Sequence, residues 1–191
     1  MKYTFKALGV VSIISLVIGV VFFDNIKGYL RFKEYCEKEG GLHVYEPLAR
    51  NVGLLADSYD AAQIAAQLQY VDFVRYKNKK DEQLYDLHYT GGDPQILKSY
   101  VVTPADESKN TMYHWIDINY FVANENNLFK FGYEITDASK KNTLARYYMF
   151  EYLLYVGPLD SKSTTTCFAE GGKSVSDIAR WRKDFIKAFK N

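Results

Sequence analysis

The hydrophobic pattern of this chain changes period twice after an opening stretch that has none. That stretch, Ala7–Phe23 (ALGVVSIISLVIGVVFF), runs seventeen residues without a charge or a proline. As a helix it would reach about 25 Å, against a hydrocarbon core of about 30 Å. Lys2 and Lys6 precede it and Asp24 follows it. The residues after Val21 offer no small-x-small cleavage site and no lipobox cysteine. An uncleaved single-pass anchor over residues 1–28 is therefore expected, with a removed signal peptide as the competing reading. Ser12, Ser15 and Gly19 would share one side of that helix. Ser15 and Gly19 have the spacing that lets membrane helices approach closely, although small residues are common in such helices anyway.

Helical spacing follows: Tyr29, Phe32 and Cys36 recur among charges until Gly40-Gly41. LHVYEPL (42–48) reads as a first strand. A loop through Asn51, Val52 and Gly53 leads to a small-residue helix that Asp57 or Ser58 can cap. The middle then alternates with period two. YVDFVRYK (70–77) and EQLYDLHYT (82–90) make a hairpin pattern, followed by ILKSYVVT (96–103) and MYHWIDINYFV (112–122). LFKFGYEITD (128–137) and TLARYYMFEYLLY (143–155) make a second hairpin. The Ser/Thr run at 161–166 reads as a loop. The pattern predicts an α+β fold: a single N-terminal transmembrane helix, then one domain over 29–191 with an antiparallel meander sheet, short helices on one face and a C-terminal amphipathic helix.

That last helix, Ser174–Lys190, places Val175, Ile178, Trp181, Phe185, Ile186 and Phe189 on one side. Arg182 falls among them. It is expected to find a structural ion pair, or else, with Trp181, to contact a partner. In the long strand, Tyr148, Phe150 and Tyr152 face one way, and Tyr147, Met149 and Tyr155 the other. Both faces are substantially apolar, which favours burial on both sides over an exposed aromatic surface.

Charge narrows the function. The formal net charge is +1, and Lys2 with Lys6 supply +2 of it, so residues 24–191 carry 22 basic and 23 acidic side chains, a net of −1. A near-neutral domain without a basic run is a poor nucleic-acid binder. Two cysteines, Cys36 and Cys167, in a domain carried past a membrane read as a disulfide, with two unrelated buried thiols as the alternative. Oxidation would place the domain on the periplasmic side of an inner membrane. Lys2 and Lys6 favour that orientation, and Lys27, Arg31 and Lys33 weaken the bias.

Catalytic signatures are scarce. There is no phosphate-binding glycine loop, GxSxG or HExxH, and neither metal nor cofactor is expected. Asp86 and His88 share a strand face and could form an acid–base pair, with His114 as a third member. A solvated strand face accounts for them more simply.

CEKEGGLHVYEPL (36–48), together with YEITDASKKNTLARYYMFEYLLY and the later Cys167, resembles a group of small bacterial envelope proteins. The resemblance covers roughly residues 36–167 in patches and implies an envelope location and a disulfide, but no activity. Phe168 stands where that group has a proline after the last cysteine. The combined expectation is a membrane-anchored periplasmic binding or structural subunit whose partners are the lipid bilayer and another membrane or periplasmic protein. An immunity-type inhibitor and an anchored enzyme built on Asp86 and His88 are the alternatives.

Overall fold

The computed structural model describes residues 23, 25–93, 97–123, 125, 127–156, 161–167 and 177–189. Its centre is a nine-stranded sheet. In chain order the elements are helix α1 (residues 25–39), β1 (Gly41–Val44), β2 (Val52–Ala56), α2 (Tyr59–Ala65), β3 (Val71–Lys77), β4 (Leu84–Tyr89), β5 (Tyr100–Pro104), β6 (Thr111–Phe121), β7 (Leu128–Asp137), β8 (Thr143–Val156), β9 (Ser161–Thr166) and α3 (Asp177–Phe185). The strand order is β1-β8-β7-β6-β2-β3-β4-β5, and β9 continues the β1 edge along the second half of β8.

The expected antiparallel meander is corrected to a mixed sheet. β2 lies between β3 and β6 and is parallel to both. It forms a strand–helix–strand unit with α2 and β3. Ser58 starts α2 by accepting a 3.1 Å hydrogen bond from the Ala61 N–H. Ala61, Ala62 and Ala65 bury its inner side. Residues 52 and 53, expected as loop, open β2, and VGLLA has no alternation to mark it as a strand. Four of its five residues are buried, so both faces had to be apolar. Gly53 leaves room for the Phe73 ring, which a Cβ would meet at 2.2 Å unless the ring moved. β9, expected as loop, is a strand that pairs with the second half of β8; its Ser/Thr/Lys sequence carries no apolar alternation to announce it.

Helices cover both faces of the sheet rather than one. Tyr147 and Met149 pack in the larger core with Trp181 and Phe185 of α3 and the alanines of α2. Tyr148, Phe150 and Tyr152 point the other way, into a second cluster with Phe32, Tyr29, Tyr35 and Cys36 of α1. A Cys36–Cys167 disulfide ties α1 to the end of β9. The turn after α3 returns beside the β1–β2 connection, where the Leu48 N–H donates to the Ala188 carbonyl at 2.8 Å.

The spanning helix is the second correction. No helix among the described residues is long and apolar enough to cross a membrane. α1 cannot, because Lys27, Arg31, Lys33, Glu34, Glu37, Lys38 and Glu39 punctuate it. Of the expected anchor, residues 1–28, only 23 and 25–28 are described; Ser12, Ser15 and Gly19 lie outside the described residues.

Gly132 in β7 has φ +150°, and a Cβ there would meet the Tyr147 carbonyl oxygen at 2.0 Å. Neither atom is the movable end of a side chain. Gly132→Ala is expected to destabilise the domain by about 3 kcal/mol through backbone strain and overpacking. A urea titration followed by tryptophan emission checks this.

Candidate functional site

The hairpin of β3 and β4 places Arg75 directly opposite Asp86. Arg75 donates to both carboxylate oxygens, at 2.7 and 2.8 Å, and the Asp106 N–H donates to one of them at 3.0 Å. Two further guanidinium hydrogens reach the carbonyls of Asp106, at 2.7 Å, and Lys109, at 3.0 Å. Asp86 is buried, and burial alone would raise its pKa. The bonds from Arg75 and Asp106 outweigh that and hold it below the ordinary carboxylate value. Asp86 is therefore committed to fastening the 105–109 loop over the sheet.

His88 is not its partner in chemistry. Its Nδ1 lies 2.9 Å from the Asp72 carbonyl, to which it donates, and its ring sits beside Phe73. His114, on β6, is buried. Its Nε2 lies 3.2 Å from Asp57 Oδ1, and Lys140 Nζ lies 3.6 Å from the same oxygen. Burial lowers the His114 pKa, with Asp57 opposing, and neither ring nitrogen makes a hydrogen bond. His43 lies on β1, beside the Gly40 carbonyl. The three histidines thus stand on β1, β6 and β4, each three ladder steps from the next. Such steps separate neighbours in the series by about 14 Å. They do not converge. Among the described residues no group of three or more His, Cys, Asp or Glu side chains could hold a metal ion.

Trp181 is 1% exposed, and its ring lies 4.9 Å from Tyr133 and 6.1 Å from Trp115. It is a core residue. Arg182 is half-buried beside the same ring, and its Nε is buried without a hydrogen-bond partner. Its charge acts on Tyr100 and Tyr133, opposing the effect of burial on both. Burial pushes the Tyr133 hydroxyl up from 10.0 to about 12. Between those values the folded protein keeps a proton that the unfolded chain releases, so stability falls as pH rises from 10 towards 12. The loss is about 2–3 kcal/mol at the upper end. Unfolding titrations at pH 9 and 11.5 check it, and Tyr133→Phe is expected to flatten that part of the pH dependence.

The surface holds features that the sequence reading missed. A cleft of about 470 Å³ between α1 and the β6–β7 hairpin is lined by Arg31, Glu34, Tyr35, Lys38, Glu39 and Glu125. Its charges are paired: Arg31 with Glu125, Lys38 with Glu34, and Glu39 with Lys130. It lacks the apolar lining of a small-molecule pocket.

The β5 edge differs. Among the described residues no strand lies beyond β5 in the sheet, and Val101 and Val102 are 46% and 42% exposed. The Ala105 N–H donates to the Leu84 carbonyl and the Thr90 N–H to the Ser99 carbonyl. With the register of β4 and β5, these bonds fix the alternation: Val101 and Thr103 turn their N–H groups to β4, and Val102 turns its N–H and C=O outward. Only the strand order shows that YVVTP ends the sheet, and the sequence carries no signal for it. No family model matches the chain, and no curated protein or solved structure is similar to it at a significant level.

Proposed function

We propose that this protein is a non-catalytic binding subunit, exported to the periplasmic side of the inner membrane and held at the membrane surface. It takes an extended, apolar segment of a partner protein on the β5 edge. The observation that carries this reading is the outward-facing backbone of Val102 on an edge strand whose Val101 and Val102 are both exposed, an open, uncharged template for one more strand. The disulfide supports an oxidising compartment. The engagement of Asp86 with Arg75, and the separation of the histidines, argue against the anchored-enzyme alternative.

The test is recovery of the full chain from its native membranes in mild detergent, with and without Val102→Pro. That proline removes an outward N–H and leaves the bonds to β4 intact. The wild type is expected to bring down a defined partner, the variant to lose it, and the two to melt alike. Recovery of the wild type as a lone monomer would count against the proposal. A thiol label is expected to react only after reduction, and free thiols in freshly extracted protein would contradict the location.

A further inference from the structure

Among the described buried polar side chains, His114 is the one that makes no hydrogen bond at all. It stands on β6, opposite Thr136 of β7 and Leu55 of β2, and is 2% exposed. Both of its ring nitrogens are shut off from water.

Two connections bring charge to the ring. Asp57 follows β2, and its Oδ1 lies 3.2 Å from Nε2 without the alignment of a bond. Lys140, in the turn between β7 and β8, has its Nζ 3.6 Å from the same oxygen. That turn is tightly made. The Asp137 carboxylate accepts from Ser139, Lys141 and Asn142, and Lys140 sits at φ +59°, in the left-handed region. The other charged groups on this side of the sheet are engaged elsewhere. Glu134, diagonal to His114 on β7, accepts from the Tyr148 and Thr143 hydroxyls. Arg75, two ladder steps away on β3, holds Asp86.

A neutral ring is tolerated here at the cost of two idle nitrogens. An imidazolium is not, because it would carry a full charge beyond the reach of water while Lys140 competes for the nearest carboxylate. Burial lowers the His114 pKa first of all, Asp57 opposes this, and Lys140 adds to it. Any form in which the ring reaches water takes up a proton at the ordinary value of 6.5. Acid therefore favours the motion that uncovers the ring. Ladder bonds hold the strands on either side of His114. The turn, in contrast, meets the end of β2 through the Asp57–Lys140 contact, whose side chains are 66% and 52% exposed and which solvent screens.

We propose that His114 is an acid trigger: when it takes up a proton, the β7–β8 turn, residues 138–142, lifts from Asp57 and the end of β2, and the ring meets water while the sheet stays paired. The device lies apart from the β5 edge, three ladder steps from β2, and stands or falls independently of the binding role.

The test is amide exchange of the full chain in detergent at pH 7.5 and 5.0, expressed as protection so that the intrinsic pH dependence of exchange cancels. The Lys140 and Lys141 amides both close the turn on Asp137. Their protection is expected to fall by about ten- to thirtyfold at pH 5.0, as for an open form that takes a proton the closed form refuses. The amides that pair β6 with β7 are expected to keep theirs. His114→Gln, which cannot take the proton, is expected to show the same turn protection at both pH values. The ring resonances of His114 in the wild type give a second reading that needs no variant, and are expected to change in step with the loss of protection. A turn that stays protected at pH 5.0, a ring that titrates without the turn opening, or an equal loss in His114→Gln would overturn the proposal.

Discussion

Asp86→Ala is expected to cost about 3–5 kcal/mol, because it strands the Arg75 guanidinium in a largely buried site without its counter-charge. The side chains are 12% and 2% exposed, so solvent does little to screen the change. Three other bonds depend on the pair: those of Arg75 to the Asp106 and Lys109 carbonyls, and that of the Asp106 N–H to Asp86. The variant should also loosen the 105–109 loop, visible as faster amide exchange there. Replacing both partners, Arg75→Met with Asp86→Leu, should cost clearly less than Asp86→Ala alone, since no uncompensated charge remains. The pH dependence follows from the sign of the shift. The Asp86 pKa is lowered in the folded state, so its contribution is present above the unfolded carboxylate value of 3.8 and is lost as pH falls through the folded one. Urea titrations of the three proteins at pH 7 check the ordering. Were Asp86→Ala as stable as the wild type, the structural role assigned to the pair would be wrong.

Reduction of the disulfide is the second large effect. Cys36 and Cys167 are separated by 131 positions and hold α1 against β8 and β9. Closing a loop of that length removes enough freedom from the unfolded chain to be worth about 5 kcal/mol on a chain-entropy account, a figure that depends on that account. Net stabilities of single domains are about 5–15 kcal/mol, so the reduced protein is expected to be marginal. The cluster of Phe32, Tyr148, Phe150 and Tyr152 should open first, because α1 then lies on the sheet by packing and by the ion pairs of Arg31 with Glu125 and Glu39 with Lys130, with no covalent tie. The Cys36→Ser, Cys167→Ser double variant and the reduced wild type should show the same lowered urea midpoint. An unchanged midpoint would mean that α1 is held by its aromatic contacts and ion pairs without the bond.

Residues that act locally were legible in the sequence. The two hairpins follow from alternation and turn residues, and the start of α2 follows from Ser58. The opposite faces of β8 follow from period two, as does the need to cover both. What depends on distant pairing was not legible. β2 is short and buried on both sides, so nothing in VGLLA announces a strand, and its insertion between β3 and β6 turns a meander into a mixed sheet. The candidate site failed for the same reason. Asp86 and His88 do share a face, but cross-strand register gives Asp86 to Arg75 and leaves His88 to the Asp72 carbonyl. Trp181 was visible as part of an apolar helix side, but its depth among Trp115, Tyr133 and Phe185 was not. The edge position of β5 is a property of the strand order, which no local pattern encodes.

The central claim is that a partner strand joins the sheet at β5, and amide exchange resolved to single residues tests it most directly. The full chain would be measured with its copurified partner retained and again after the partner is stripped. The Val102 amide is expected to exchange markedly more slowly in the complex, while Val101 and Thr103, already bonded to β4, are protected in both states. Exchange at Val102 that is the same with and without the partner would contradict it.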